Sequence, residues 1–176
     1  MRTVDPFDYA GHICKALTKG VLLTTAAEGK VNTMTIGWGT MGVEWGRPIF
    51  IAYVRESRYT KQLLDKNGEF TVNIPLEGCE KQILAFCGTK SGADVDKFKE
   101  LSLTAVESRD VSVPGIRELP LTLECKVLFQ REQPIGDIPA DIQSRFYAAG
   151  DAHTAYYGQI VNAYIAESKP PAKPEA

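Results

Sequence analysis

Two short segments of the chain carry residue types that could bind a phosphorylated ring compound. One is the extended run Asn32-Thr33-Met34-Thr35-Ile36-Gly37-Trp38, whose small and hydroxyl side chains leave the backbone polar groups approachable. The other, Arg55-Glu56-Ser57-Arg58-Tyr59-Thr60, brings two guanidinium groups and two aliphatic hydroxyls to a predicted helix start. A helix N-terminus and arginine side chains both bind phosphate. A flat polar ring against the first segment and a phosphate against the second describe a flavin mononucleotide (FMN) site.

Each segment also has a plainer interpretation. Residues 32–38 could form an ordinary barrel strand with a polar outer face, and residues 55–60 a solvated loop with Ser57 as the helix N-cap. The small-residue loop 88–92 precedes a short predicted helix and is either a further cofactor contact or a helix–helix connection. His153 comes just before the last predicted strand and is either structural or part of the cofactor or substrate side.

The chain lacks the motifs of other catalytic classes. The two histidines, His12 and His153, have no clustered cysteine or histidine beside them, so no metal site is predicted. There is no G-x-S-x-G elbow and no G-x-x-x-x-G-K-[ST] loop, which argues against hydrolase and nucleoside-triphosphatase chemistry. Gly37-Trp38-Gly39 is predicted to lie inside a strand, so a Rossmann dinucleotide site is not expected.

The composition argues against further classes of binding partner. The 176 residues are 44% hydrophobic and 24% charged, with a formal net charge of −2, so a nucleic-acid partner is not expected. No apolar run approaches the roughly 20 residues of a membrane span, and the N-terminus does not resemble a secretory signal. The cysteines are far apart and form no C-x-x-C, which predicts reduced, mostly buried thiols in the cytoplasm, with a Cys79–Cys87 redox pair as the alternative.

Hydrophobic periodicity and turn residues predict the elements that must position these segments. Helices are expected at residues 9–19, 58–66, 80–87, 94–101 and 140–148, and strands at 21–26, 31–38, 49–54, 70–74, 120–130 and 156–165. Gly20, Gly68 and Gly88 are predicted helix stops. Antiparallel strands with short helices inserted between them predict a mainly antiparallel, barrel-like α+β domain over residues 1–168. Residues 169–176 are predicted to be a disordered tail.

Five pieces of the chain, in order, resemble one known family. They are residues 31–38, residues 55–60, residues 69–73, the loop and helix start at 90–98, and Asp151-Ala152-His153-Thr154 with Gly158. Together they resemble the flavin reductase-like family with the FMN-binding split-barrel fold, most closely its flavoredoxin-like branch. The resemblance extends from about Gly20 to Ile165.

This resemblance implies a homodimer with FMN at a barrel edge near the subunit interface. It implies a ring lined by Asn32, Thr33, Met34, Thr35 and Trp38, and a phosphate surrounded by Arg55, Ser57, Arg58 and Thr60, with Tyr59 as a further cofactor-binding residue. It also implies that the cofactor is approached by Ser91 and Lys97, and that the side where a nicotinamide or another substrate docks holds His153, with Tyr156 behind it. Trp45, in a stretch that is distinctive for the family, either covers the flavin or packs against the protein.

A flavoprotein of this kind needs to hold, orient and tune its cofactor. The leading prediction is an FMN-bound oxidoreductase that passes electrons from NAD(P)H to a flavin, a metal complex or another small acceptor. The alternative is a non-enzymatic, flavoredoxin-like carrier that exchanges electrons with partner proteins. A third reading is a split-barrel domain that binds haem or pyridoxal phosphate.

Overall fold

The computed structural model describes residues 1–76 and 80–167. Its helices are α1 (Ala10–Leu17), α2 (Tyr59–Asn67), α3 (Lys81–Thr89), α4 (Lys97–Glu100) and α5 (Ala140–Phe146). Its strands are β1 (Arg2–Thr3), β2 (Val21–Ala27), β3 (Lys30–Ile36), β4 (Gly39–Glu44), β5 (Arg47–Arg55), β6 (Glu69–Ile74), β7 (Ala105–Val106), β8 (Gly115–Ile116), β9 (Leu121–Glu132) and β10 (His153–Ile165). None of the described helices is long and apolar enough to span a membrane.

Most of the strands form one antiparallel sheet. Its order is β3-β2-β6-β9-β10-β5-β4, with β1 paired along β10, while β7 and β8 form a separate two-stranded ribbon. The inner surface of the sheet packs a core that includes Phe50, Phe70 and Tyr156, all fully buried. A Cβ at Gly158 would overlap the Phe70 ring, so the irregularity in β10 after Tyr157 falls where the strand must leave room for that ring.

The two edges of this sheet are held close together by the chain itself. β3 is one edge, β4 is the other, and only Gly37 and Trp38 connect them. Three residue steps span at most about 11 Å, so the sheet must curl until its edges approach each other. Trp38 therefore lies at the seam of a nearly closed barrel, where the two edges of the sheet meet. The segment that ends at Trp38 is the one predicted to contact the ring of the cofactor.

The fold class was predicted correctly. A mainly antiparallel sheet with short inserted helices is confirmed, and every predicted strand and helix has a counterpart. Gly20 and Gly68 follow α1 and α2 with positive φ angles of 106° and 69°, a backbone region that glycine enters without steric cost. The predicted ends of α1 and α2 at these glycines are therefore confirmed.

Several local predictions were wrong. Strand β4 was not predicted, and Gly37-Trp38-Gly39 does not lie inside one strand, because Gly37 and Trp38 connect β3 to β4 and Gly39 begins β4. Gly88 lies within α3 and does not stop the helix, and a Cβ there would meet the Thr35 side chain at an ordinary contact distance of 3.4 Å. The helix expected at 94–101 is shortened to α4.

The predicted tail at 169–176 and the residue Cys79 lie outside the described residues. Of the cysteines that are described, Cys87 and Cys125 are buried and Cys14 is exposed. Burial raises the pKa of the Cys87 thiol to about 11. That thiol is therefore protonated at neutral pH, which favours the structural reading of Cys87 over a redox role.

Candidate functional site

A polar cavity of about 170 Å³ lies between the outer edge of β3 and the start of α2. Its floor comes from β3, one wall from the chain that enters α2, and the other wall from the end of α3 and the loop 88–92. We call it the polar cavity. Most of the predicted cofactor residues line it: Asn32, Met34, Thr35, Ser57, Arg58, Tyr59, Thr60, Ser91 and Lys97.

Asn32 organises the centre of the polar cavity. Its side-chain amide donates a 2.7 Å hydrogen bond to the Thr60 hydroxyl in the first turn of α2. Across the cavity the loop 88–92 comes so close that a Cβ at Gly92 would overlap the Asn32 carboxamide. Only glycine fits there without displacing Asn32, so the loop is shaped to close over β3 at this point.

Lys97 supplies a buried cation to the polar cavity. It is the first residue of α4, and its Nζ donates 2.8 Å hydrogen bonds to the carbonyl oxygens of Thr33 and Cys87. Thr33 lies on an edge strand, so its outward carbonyl is free to accept this bond. Burial, and more weakly the positive charge of Arg58, lower the pKa of Lys97. An anion in the cavity would offset both effects, because it would compensate the buried charge.

A second cavity of about 170 Å³ continues from the first toward the seam of the barrel. The two cavities share Met34, Thr35 and Arg58 in their lining. We call the second one the histidine cavity, because His153 lies in it together with Ile36, Gly37, Trp38, Tyr53 and Arg55. The two form one trough with cationic and hydroxyl groups at one end and aromatic rings at the other.

His153 is the first residue of β10 and is only 6% exposed. Its Nδ1 is hydrogen bonded to the Tyr147 hydroxyl at 2.8 Å, and its ring centroid lies 4.8 Å from that of Trp38. Burial, together with the nearby Arg55 charge, lowers the pKa of His153 to about 4. The imidazole is therefore neutral at pH 7, with its orientation fixed by Tyr147.

Asp151 ties the loop before β10 to the chain that enters α2. Its carboxylate accepts a 2.9 Å hydrogen bond from the Ser57 backbone N–H and a 2.7 Å bond from the Ser57 hydroxyl. Arg55 lies 4.0 Å from the same carboxylate and donates to the carbonyl oxygens of Phe146 and Asp151. Burial alone would raise the pKa of Asp151, but the Ser57 hydrogen bonds and the arginine charges lower it, so the group is ionised.

The placement of several predicted residues differs from expectation. Ser57 does not cap α2, whose N-cap is Arg58, because Asp151 takes the Ser57 hydroxyl. Arg55 lines the histidine cavity together with Arg58 and His153, and its guanidinium is engaged by the Asp151 loop. Asn32, expected beside the ring, lines the polar cavity.

Three other residues point away from both cavities. The Thr33 hydroxyl bonds to β2, so this residue contributes its backbone carbonyl rather than its side chain. The Tyr156 hydroxyl donates to Asp65 on α2 at 2.5 Å and lines neither cavity. Trp45 is 56% exposed and packs against Tyr157, on a surface apart from the trough.

Sequence reasoning missed part of the trough. Thr89, Lys90 and Gly92 line the polar cavity, in the small-residue loop that was given as a possible cofactor contact. Tyr147, which holds His153, was also missed, because its role depends on a hydrogen bond across the loop before β10 and no local sequence pattern indicates it.

Within residues 1–76 and 80–167, no group of three or more His, Cys, Asp or Glu is arranged to hold a metal ion.

Comparison with known proteins agrees with this geometry. Residues 14–173 match the model of the flavin reductase like domain. The chain belongs to the flavin reductase-like family. An uncharacterized protein of Archaeoglobus fulgidus is 32% identical over 146 residues, which cover 83% of this chain and 72% of that protein.

Solved structures of this family share the fold. The flavoredoxin of Methanosarcina acetivorans is 30% identical and superposes with a TM-score of 0.66, covering 84% of this chain and 68% of that one. A protein from Shewanella frigidimarina whose structure contains a split barrel domain gives a TM-score of 0.67 at 17% identity, covering 93% of this chain and 76% of that one. The split-barrel prediction is thereby confirmed, and membership of this family supports a flavin-binding redox function.

Proposed function

We propose that this protein is an FMN-binding oxidoreductase that passes electrons from NAD(P)H through the bound flavin to a small acceptor. The observation that carries the proposal is the continuous trough, whose polar end gathers Arg58, Ser91 and Lys97 and whose aromatic end gathers Trp38 and His153. One phosphate and one flat ring, joined by a short chain, match those two ends. The family membership supports the same cofactor class.

The polar cavity fits a phosphate on structural grounds. Lys97 is 4% exposed and uses two of its three ammonium protons on backbone carbonyls, so one donor is left for a ligand. Among the described residues Arg58 has no ion-pair partner, and its exposed guanidinium borders both cavities. Charge-assisted hydrogen bonds from these groups would hold the phosphate, and the Ser91 hydroxyl would add another donor.

The histidine cavity fits the ring. When bound there, FMN supplies the electron-accepting and electron-donating atoms of the reaction. Met34, Thr35 and Trp38 would support the ring, and the neutral His153, held by Tyr147, would orient a nicotinamide or another substrate on its open side. Because the pKa of His153 is about 4, we assign it a positioning role at neutral pH and not that of a proton donor.

A second candidate function is that of an electron carrier between proteins. The similarity to a flavoredoxin at 30% identity favours it. Anaerobic mixing with NADH and with NADPH separates the two candidates. Bleaching of the flavin on a catalytic timescale supports the oxidoreductase, whereas no bleaching by either nucleotide, together with rapid reduction by reduced ferredoxin, supports the carrier.

The cofactor itself is tested by comparing FMN with riboflavin, which lacks the phosphate. Arg58→Gln should weaken FMN binding by about 10- to 100-fold, the worth of a charge-assisted hydrogen bond, and weaken riboflavin binding much less, because riboflavin has no phosphate. The matched control is Arg131→Gln, an exposed arginine that lines neither cavity. Equal loss of FMN and riboflavin, or a colourless protein that takes up neither, refutes the assignment. A haem or pyridoxal phosphate spectrum would refute it as well.

We also propose that the protein is a homodimer that works in the cytoplasm. Trp45, Phe129 and Tyr157 form an aromatic cluster on the outer face of the sheet, with Trp45 56% and Phe129 44% exposed. Exposed apolar clusters of this kind are typical of protein interfaces. Light scattering after gel filtration should give twice the 19.3 kDa chain mass, and Trp45→Asp should shift it toward the monomer. A monomeric wild-type protein would overturn the dimer.

A further inference from the structure

A third cavity, of about 620 Å³, opens on the other side of Trp38. Its walls come from α1, the β3–β4 connection, β5, and the segment around α5. They are mainly apolar and aromatic, formed by Leu17, Trp38, Ile138, Ile142, Phe146 and Tyr147. We call it the apolar cavity. Its volume lies within the range of small-molecule sites, about 300–1,000 Å³.

The apolar cavity differs from the trough in charge. None of the residues that line it is Asp, Glu, Lys or Arg, so far as the structure describes the chain. The trough, in contrast, is lined by Arg55, Arg58, Lys90 and Lys97. A phosphorylated or carboxylated ligand would find no counter-charge in the apolar cavity and would lose hydration on entering it. This cavity is therefore suited to a neutral ligand.

The few polar groups of the apolar cavity are suited to a carbonyl oxygen. The Tyr53 hydroxyl is hydrogen bonded to Thr40 at 3.1 Å, and the Gln133 side chain can donate. The Thr18 hydroxyl is engaged, because it donates to the carbonyl of Lys15 at 2.8 Å. A mostly apolar wall with a few hydrogen-bond donors is typical of small-molecule sites, in which the donors fix the orientation of the ligand.

The apolar cavity adjoins the site proposed for the flavin ring. Gly37, Trp38 and Tyr53 line both it and the histidine cavity. Trp38 lies 5.2 Å from Phe146 in an edge-on arrangement and 4.8 Å from His153, so it forms the wall between the two spaces. A ligand in the apolar cavity would thus lie beside the ring end of the trough, within reach of electron exchange.

We propose that the apolar cavity binds a neutral, planar carbonyl compound of the quinone class, which serves as the electron acceptor. The proposal rests on the flavin assignment made above. When bound, the reduced flavin would supply two electrons, which would cross Trp38 to the quinone one at a time. The quinone would take up two protons from water and leave as the hydroquinone, so the two electrons lost by the flavin are the two gained by the quinone.

Binding is tested with 1,4-naphthoquinone and the fluorescence of Trp38. The chain has two tryptophans, and Trp45→Phe leaves Trp38 as the only one without touching either cavity. In the Trp45→Phe protein as purified, we expect saturable quenching by naphthoquinone. Adding Phe146→Ala, which removes an aromatic wall, should raise the dissociation constant about tenfold. The matched control is Phe7→Ala, an aromatic residue that is 44% exposed and lies outside the cavity and outside the aromatic cluster.

Turnover provides a second readout. With naphthoquinone as acceptor, Phe146→Ala should raise KM about tenfold, whereas with ferric citrate, a charged acceptor, KM should stay unchanged. Quenching that does not saturate, or an equal effect of the Phe146 and Phe7 variants, overturns the proposal. So does a change from dimer to monomer on Phe146→Ala with naphthoquinone binding intact, since a second copy would then cover the cavity. A protein that binds FMN but no quinone refutes this inference alone, whereas a protein that binds no flavin refutes the proposed function.

Discussion

The buried, neutral His153 should make the stability of the protein depend on pH below neutrality. Its pKa is lowered from about 6.5 to about 4 in the folded protein. Between these two values the unfolded chain binds the proton more readily, so stability is complete above about pH 6.5 and falls as the pH is lowered toward 4. At about 1.4 kcal/mol for each pKa unit, the full loss is about 3 kcal/mol, of which about 2 kcal/mol is lost by pH 5.

Urea denaturation across this range measures the effect. We expect the midpoint of the wild-type protein to fall by about 1 M between about pH 7.5 and pH 5, at a slope of about 2 kcal/mol per M. His153→Asn keeps a group that can bond to the Tyr147 hydroxyl but does not titrate, so its midpoint should fall by less. Bound flavin is removed beforehand, because a ligand adds its own contribution to stability.

His12→Asn is the matched control for this experiment. It removes the only other histidine, whose Nε2 lies 2.7 Å from the Pro75 carbonyl oxygen, and it should retain the pH dependence of the wild type. The difference between the wild-type and His153→Asn curves isolates His153 from the carboxylates that also titrate in acid. Identical curves for the wild type and His153→Asn would show that His153 is not held in a depressed, neutral state, and the reasoning would fail.

Three further substitutions test other parts of the molecule. Asp151→Asn keeps a residue that tolerates the positive φ of 65° but removes the charge that Ser57 binds, and it should cost about 1–2 kcal/mol in the free energy of unfolding. Glu124→Gln should cost about 3 kcal/mol by the same measurement, because the fully buried carboxylate accepts hydrogen bonds from two loop N–H groups. Gly92→Ala should weaken flavin binding about tenfold in a fluorescence titration, while Gly42→Ala, with open space around it, should not; equal affinities would argue against the close loop.

Local chemistry along the sequence was enough to predict much of this fold. The alternating run predicted as a strand became β9, in which Leu121, Leu123 and Cys125 lie in the core. The turn at 28–30 is short enough to force β2 and β3 to pair. Gly68 ended α2 because it could take a left-handed conformation. In each case the residues that determine the element lie within a few positions of the sequence pattern that predicts it.

One error has the opposite cause, because it depends on a residue distant in sequence. Ser57 has the type and position of an N-cap, but Asp151, 94 residues away, takes its hydroxyl. Gly88 looks like a helix stop, yet α3 continues one residue further, to Thr89. Strand β4 contains two glycines and a mixed pattern, and it was missed although its partner follows directly in the sequence, since it pairs along its length with residues 47–52 of β5. A partner as distant as Asp151 leaves no mark on the local sequence.

The same distinction applies to the trough. The sequence grouped residues 55–60 as one phosphate site because they are adjacent along the chain. In the structure, Arg55 ends a strand while Thr60 lies in the first turn of α2, so their side chains enter different cavities. Chain neighbours separated in this way can serve two ends of one ligand, which short motifs do not distinguish.

The way Arg55 holds the loop before β10 has a consequence for how this protein could diversify. Its guanidinium donates to the main-chain carbonyls of Phe146 and Asp151, which every amino acid possesses. The side chain at position 146 can therefore change in evolution, or in a designed library, without loss of the bond that fixes the end of α5. Since Phe146 also lines the apolar cavity, the ligand preference of that cavity can change while the position of α5 is kept.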